Sequence, residues 1–444
     1  MTNSENLRDI VCDLLLEIEK TKVPSHVAIR RMLEKYQYLE NHERRFISRL
    51  TKGTLERQHT LDWMINRFSS VKTKKMKPVI RTILRMSVYQ LKYMDSVPVS
   101  AVCNEAVKLA KKRGFKSLAG FVNGILRNMD RQPEKLVLPK DNLSVMYSQP
   151  EWLVESWTKT YGVEKTKAMF EYFLKEQPLT VRVCTNKISV DDFKQRMEAQ
   201  GIEAIQNSWV PEAIELKGFD YLGALQEFNE GLCTVQDVSS MLVAKAAHVA
   251  LSDKVIDVCA APGGKSIHIS EMLKDEGLII SRDLTWAKVD LIEDNIQRLG
   301  AENIQAECQD ALVFVPEDKE TADVVIADLP CSGLGVIGRK ADIKYRVTPE
   351  DLTSLAELQR DILTVVSQYV KPNGVLIYST CTVNREENQE NVQWFEKNFP
   401  FKLESLEDYL PEGMCQETVK QGYVQLLPGD YDTDGFFIAR FRKN

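Results

Sequence analysis

Apolar positions in the first 130 residues recur with a helical period. Ile10, Val11, Leu14, Leu15 and Ile18 would share one helix face. Ser25 stands where it can cap SHVAIRRMLEKY. Periodic stretches continue at 42–69, 78–94, 99–113 and 117–129, and Gly53 argues against one unbroken helix over the longest of them. The period then stops: RQPEKLVLPKDNLSV (131–145), with two prolines, reads as a linker. Residues 149–231 mix periods. QPEWLVESWTKTYG, VEKTKAMFEYFLKE and VDDFKQRMEAQG read as helices, LTVRVCT and AIELKG as strands. From residue 232 short apolar strands (KVIDVC, GLIISRD, IQAECQD, DVVIAD, GVLIYST) alternate with amphipathic helices. That alternation predicts a doubly wound, mostly parallel, Rossmann-like sheet. The expected architecture is therefore multidomain: an all-α block over 1–135, a small α+β module over 146–231 and an α/β domain over 232–444.

Composition changes this picture little; charge changes it more. Charged residues make up 27% of the chain and hydrophobic ones 43%, as in a soluble globular protein. No apolar run approaches the ~20 residues of a membrane span. The N-terminus lacks the basic start and small-residue cleavage site of a signal peptide, so a cytoplasmic setting and no membrane partner are expected. The net charge of −6 is uneven: residues 1–130 hold 25 basic and 13 acidic side chains, and the rest hold 33 and 51. A basic helical block joined to an acidic remainder points to a polyanionic partner for the former.

The nine cysteines are Cys12, Cys103, Cys184, Cys233, Cys259, Cys308, Cys331, Cys381 and Cys415. Their number is odd, no pair has C-x-x-C spacing, and the five histidines do not cluster with them, which excludes a disulfide framework and a metal site from the expectation. Most should be small core hydrophobes. Two stand apart. Cys331 in IADLPCSG and Cys381 in YSTCT each fall where a strand runs out into a loop, at the carboxyl edge where such sheets bind ligands.

VIDVCAAPGGKSIHI (255–269) reads as a strand, a glycine turn and a helix start. Gly263 and Gly264 permit a tight turn and close backbone approach to a ligand, and a helix N-terminus follows. Asp283 ends the next strand and suits ribose hydroxyls. Asp310 and Asp328 end the third and fourth strands, so three acids rim the cleft. The G-x-G-x-x-G of a dinucleotide site is missing. A carboxylate-rich edge repels pyrophosphate but suits the sulfonium and ammonium of S-adenosylmethionine.

CAAPGGK (259–265), ADLPCSGLG (327–335) and YSTCTVNREEN (378–388) resemble the signature motifs of RNA cytosine-C5 methyltransferases. The helical block resembles the NusB family of RNA-binding domains. Together they resemble the bacterial RsmB (Sun/Fmu) type of 16S ribosomal RNA methyltransferase over essentially the whole chain. Cytosine C5 is a weak nucleophile; a thiolate added at C6 makes it enamine-like, able to take a methyl group before the C5 proton leaves and the thiol is eliminated. An acid near N3 assists, a role that fits Asp328. Spacing does not rank the two thiols. The resemblance implies Cys381 as nucleophile and Cys331 as an aid to product release. It also implies that Cys259, Ala260, Ala261, Pro262, Gly263, Gly264 and Lys265 form the cofactor loop, although Cys259 by itself reads as packing. Arg339, Lys340, Lys344 and Arg346 are candidates for phosphate contacts. The segment departs from the family near Lys340-Ala341, where a histidine-proline pair is the pattern. The implied partner is 16S ribosomal RNA, and a monomer without metal is expected. Rival readings are a tRNA or DNA cytosine methyltransferase and an inactive, RNA-binding ribosome assembly factor.

Overall fold

The computed structural model describes residues 6–21, 23–219, 221–274, 276–414 and 417–444; Cys415 lies outside them. The chain forms two compact units. The first comprises residues 1–175 together with 337–346, and the second comprises 176–336 with 347–444. The boundary at 175 cuts through the 146–231 stretch: its helices Glu151–Tyr161 and Val163–Leu174 belong to the helical unit, and its strands to the other.

The first unit is helical because its apolar residues keep the 3.6 period. The helix Ala119–Arg131 buries Val122, Ile125, Leu126 and Met129 on one face. These join Leu14, Ile47, Leu50, Leu61, Ile83 and their neighbours in one core. The stretch read over 42–69 is two helices, Asn41–Glu56 and Gln58–Phe68. The break falls at Arg57 and not at Gly53. Gly53 stays helical because the Tyr89 ring packs on it: a Cβ there would lie 2.0 Å from Tyr89 Cζ. Ser25 does not cap its own helix. It is the first helical residue, and its backbone N–H (3.2 Å) and hydroxyl both donate to the carboxylate of Asp342. A residue 317 positions away thus supplies the anion that this helix start favours.

The second unit holds two sheets. Four strands, β1 (Leu179–Val183), β2 (Glu203–Gln206), β3 (Ala213–Lys217) and β4 (Cys233–Val235), form an antiparallel sheet in the order β2-β3-β1-β4. The larger sheet runs β10-β12-β9-β8-β5-β6-β7, with β11 also pairing β12. Its strands are β5 (Lys254–Asp257), β6 (Leu278–Asp283), β7 (Ile304–Cys308), β8 (Ala322–Asp328), β9 (Val370–Thr380), β10 (Phe401–Leu403), β11 (Tyr423–Leu426) and β12 (Phe436–Lys443). Strands β5 to β9 are mutually parallel, whereas β12 runs antiparallel to β9, β10 and β11. The middle residues of the central strands are apolar on both faces because both faces are covered. Successive residues go to opposite cores: Val255, Val324 and Ile377 to one, Ile256, Val325 and Leu376 to the other. Strand order reverses between β5 and β8, so the carboxyl ends of β5, β6, β8 and β9 converge on the crevice expected to hold ligands.

Candidate active site

Four strand ends build the site. After β5 the chain turns through Val258 to Gly263 into the helix Gly264–Leu273. Gly263 has φ 97°, a conformation that a Cβ disfavours, and its N–H donates to Ala260 O at 2.6 Å. The Ala261–Pro262 peptide is cis. Asp283, at the end of β6, is 3% exposed. Its carboxylate accepts from Ala261 N at 3.0 Å, Leu284 N at 2.8 Å and Lys288 Nζ at 2.8 Å. It therefore fastens the glycine turn to the neighbouring strand. Asp310 is half-buried after β7 and accepts from Leu312 N at 2.9 Å. Leu284, Leu312 and Val313 are exposed beside these acids, offering apolar surface at the same edge.

Beneath the turn sits Asp257, the last residue of β5. It meets the same strand-end criterion as the other three acids, yet the sequence reading passed over it. It is fully buried; Oδ2 accepts from Ser266 Oγ at 2.7 Å and Oδ1 has no partner. Burial raises its carboxyl from 3.8 to about 7, against the opposing Ser266 hydroxyl and Lys265 ammonium.

Lys265 is not a solvated lysine. Its Nζ donates to Asp328 Oδ2 at 2.6 Å and lies 5.6 Å from the centre of the Phe436 ring. Burial pulls the ammonium down, but Asp328, Asp257 and the Cys381 thiol outweigh it, so its pKa ends above the ordinary value. Asp328 Oδ1 accepts from Ser379 Oγ at 2.8 Å, which ties the end of β8 to the end of β9.

The two thiols selected from the sequence meet. Cys331 Sγ and Cys381 Sγ are 3.3 Å apart, across 50 residues of chain. Both are half-buried. The contact with Cys381, burial and the nearby Glu387 and Asp328 push the Cys331 thiol well up. Cys259 is half-buried, and burial with Asp257 and Asp283 raises its thiol too, which suits the packing reading and not nucleophilic attack. Cys12, Cys103, Cys184 and Cys233 are core residues.

Of the basic residues after the proline-cysteine loop, Lys344 is withdrawn from solvent. Lys344 is 2% exposed; in the helical unit its Nζ donates to Glu56 O at 2.8 Å, and burial lowers its pKa. Arg346 pairs with Asp342 at 2.9 Å, and Lys340 is exposed. Among the described residues there is no group of three or more His, Cys, Asp or Glu able to hold a metal, and no helix is long and apolar enough to cross a membrane.

Three family models match the chain: 16S rRNA methyltransferase RsmB/F over residues 246–442, the NusB family over 5–131, and the RsmF/B-like ferredoxin-like domain over 149–220. The probable ribosomal RNA small subunit methyltransferase B of Bacillus subtilis is 38% identical over 446 residues, covering 99% of each chain. The chain belongs to the RsmB/F family of methyltransferases. A Synechocystis relative, also a probable ribosomal RNA small subunit methyltransferase B, is 34% identical, with 98% of this chain and 99% of that one covered. The crystal structure of PH0851 superposes with a TM-score of 0.83 at 26% identity, covering 99% of both chains. A methyltransferase homolog from Pyrococcus horikoshii gives 0.58 at 28% identity, over 68% of this chain and 97% of that one.

As an RsmB/F-family member the protein uses S-adenosylmethionine. The residues present fit that cofactor. The unpartnered Asp257 Oδ1, the ring of strand-end carboxylates and the exposed Leu284, Leu312 and Val313 match its cationic and aromatic parts. The NusB-like and Rossmann-like expectations hold.

Proposed function

We propose that the protein methylates C5 of a cytosine in 16S ribosomal RNA through a covalent bond between Cys381 and C6. The observation that carries this reading is the 3.3 Å thiol pair at the carboxyl edge of the sheet. Cys381 lies near enough to the Lys265 ammonium to raise its pKa, and a neighbouring cation favours thiolate. Glu387 and Asp328 near Cys331 disfavour loss of its proton. On this reading Cys381 is the nucleophile.

Attack forms the Cys381 Sγ–C6 bond and shifts electron density towards C5 and N3. The Lys265–Asp328 pair holds one transferable proton beside the thiols, and it neutralises charge at N3. S-adenosylmethionine supplies the methyl group. Solvent water then takes the C5 proton, the C5–H electron pair re-forms the C5=C6 bond, and the C6–S bond breaks with its electron pair returning to Cys381 Sγ. A proton on Cys331 Sγ, 3.3 Å from that sulfur, would stabilise the departing thiolate. The target base must leave its stack to expose C6. The exposed Lys72, Lys74, Lys75 and Lys77 of the basic helical unit support a role for it in holding RNA phosphates. The relatives' names support small-subunit ribosomal RNA as the substrate, and the cytoplasm is the matching setting.

The test uses Cys381→Ala and Cys331→Ala with labelled cofactor and either 16S ribosomal or transfer RNA transcripts. Cys381→Ala abolishes transfer to 16S RNA. Cys331→Ala accumulates a protein–RNA adduct stable to denaturation. A fully active Cys381→Ala enzyme refutes the reading.

A further inference from the structure

Beyond the charge of Glu387 near Cys331, the segment Asn384–Asn388 has no role in the mechanism above, yet its buried carboxylate is bonded to the residue after Cys331. Glu387 is fully buried and accepts four hydrogen bonds. Oε2 accepts from Ser332 N at 2.9 Å and Gln359 Nε2 at 3.0 Å; Oε1 accepts from Ser332 Oγ at 2.6 Å and Asn384 Nδ2 at 3.1 Å. Ser332 is the residue after Cys331. The carboxylate thus holds the proline-cysteine loop by both backbone and side chain.

Asn388, also fully buried, does the same for the other loop. Its Oδ1 accepts from Thr380 Oγ1 at 2.6 Å and its Nδ2 donates to Thr382 O at 3.0 Å, so its amide brackets Cys381 on both sides. The two loops are then joined directly: Ser332 Oγ and Thr382 Oγ1 are 2.7 Å apart. A charged carboxylate buried at this depth is costly to place and is retained only with full hydrogen bonding. Here two of its bonds hold Ser332 and one holds Asn384, while the fourth comes from Gln359 of the helix Pro349–Val366, whose Nε2 also donates to Pro330 O at 2.9 Å.

We propose that Glu387 and Asn388 are positioning residues that fix the separation and mutual orientation of the Cys331 and Cys381 thiols. One holds each loop, and the Ser332–Thr382 contact locks the two together. Neither touches the reacting atoms. Their contribution lies in pre-setting a geometry in which a displacement of about 1 Å costs roughly 100-fold in rate. This rests on the reading of the two thiols as the reacting pair.

The experiment compares Glu387→Ala, Glu387→Gln and the near-isosteric Thr382→Val with the parent, using the full-length protein. Three quantities are measured: kcat and KM for RNA, the thermal midpoint, and the rate at which diamide closes a Cys331–Cys381 disulfide, mapped by mass spectrometry. Glu387→Ala lowers kcat about 100-fold while KM stays within about threefold, and slows disulfide closure about tenfold or more. Glu387→Gln keeps one acceptor oxygen and recovers part of both losses. Thr382→Val preserves the fold and slows both processes by a smaller factor. Because diamide reads thiol geometry without RNA, slowed closure in a protein that methylates no cytosine still supports the positioning role while refuting the proposed reaction. Parental closure rates in Glu387→Ala and Thr382→Val, or a kcat loss that only follows the thermal midpoint, overturn the proposal.

Discussion

Replacing Lys265 by Met removes one charge from the site and keeps most of the side chain's volume. In the parent, Nζ sits 2.6 Å from Asp328 Oδ2 and its charge is upheld by Asp328, Asp257 and Cys381 against burial. Removing one partner of a buried ion pair costs about 3–5 kcal/mol. The Asp328 side chain is 24% exposed, so water returns part of this, and a stability loss of about 2–3 kcal/mol is expected. The catalytic effect has a different signature. Without the ammonium the Cys381 thiol becomes harder to ionise. Losing a neighbouring cation lowers the thiolate fraction near neutral pH, and a rate loss there of about 10-fold or more is expected. Single-turnover methyl transfer, followed from about pH 6.5 to about pH 9.5 with saturating RNA and cofactor, separates the two effects. The deficit should be largest at the acid end and close as pH rises through the thiol's range, because the thiolate is then formed without help. A parental rate near neutral pH, or a deficit constant across the range, refutes the role given to this charge.

Other perturbations probe other levels. Asp257→Asn tests the buried acid. With its carboxyl raised from 3.8 to about 7, the folded parent binds more protons than the unfolded chain in that window. Its contribution is fully present below the lower value and lost as pH rises through the upper one. The Asn variant should gain on the parent across this window by up to ~4 kcal/mol in urea denaturation, and a pH-independent difference counts against the assignment. Gly53→Ala should destabilise by about 1–3 kcal/mol despite alanine's better helix propensity, because its Cβ would enter the Tyr89 ring; an unchanged thermal midpoint contradicts that packing. RNA affinity should fall steeply with salt, and less steeply after Lys74→Gln with Lys75→Gln; salt-independent binding would remove the RNA role from the helical unit.

Local pattern carried a good deal of this protein. Period 3.6 gave the helices of the first unit, since each buries one face. Short apolar runs between amphipathic helices gave the parallel strands, because only a sheet covered on both sides needs strands that are apolar on both faces. The glycine turn, the strand-end acids Asp283, Asp310 and Asp328, and the two cysteines were legible for the same reason: each stands at a fixed offset from a recognisable strand. Strands β10, β11 and β12 escaped notice. FFIARFRK lacks a strict alternation, and its place beside β9 depends on pairing with residues about sixty positions away.

What the sequence could not contain is distance between remote residues. Which strand lies beside which brings Cys331 to 3.3 Å from Cys381 and Lys265 to Asp328. The same long-range packing buries Lys344 on Glu56, where composition alone made it a surface cation. Residue type and spacing determined that two thiols, a glycine turn and a row of acids would line one sheet edge. Tertiary structure decided that the two thiols meet each other and that the ammonium meets Asp328, because charge acts through space and the fold sets the separations.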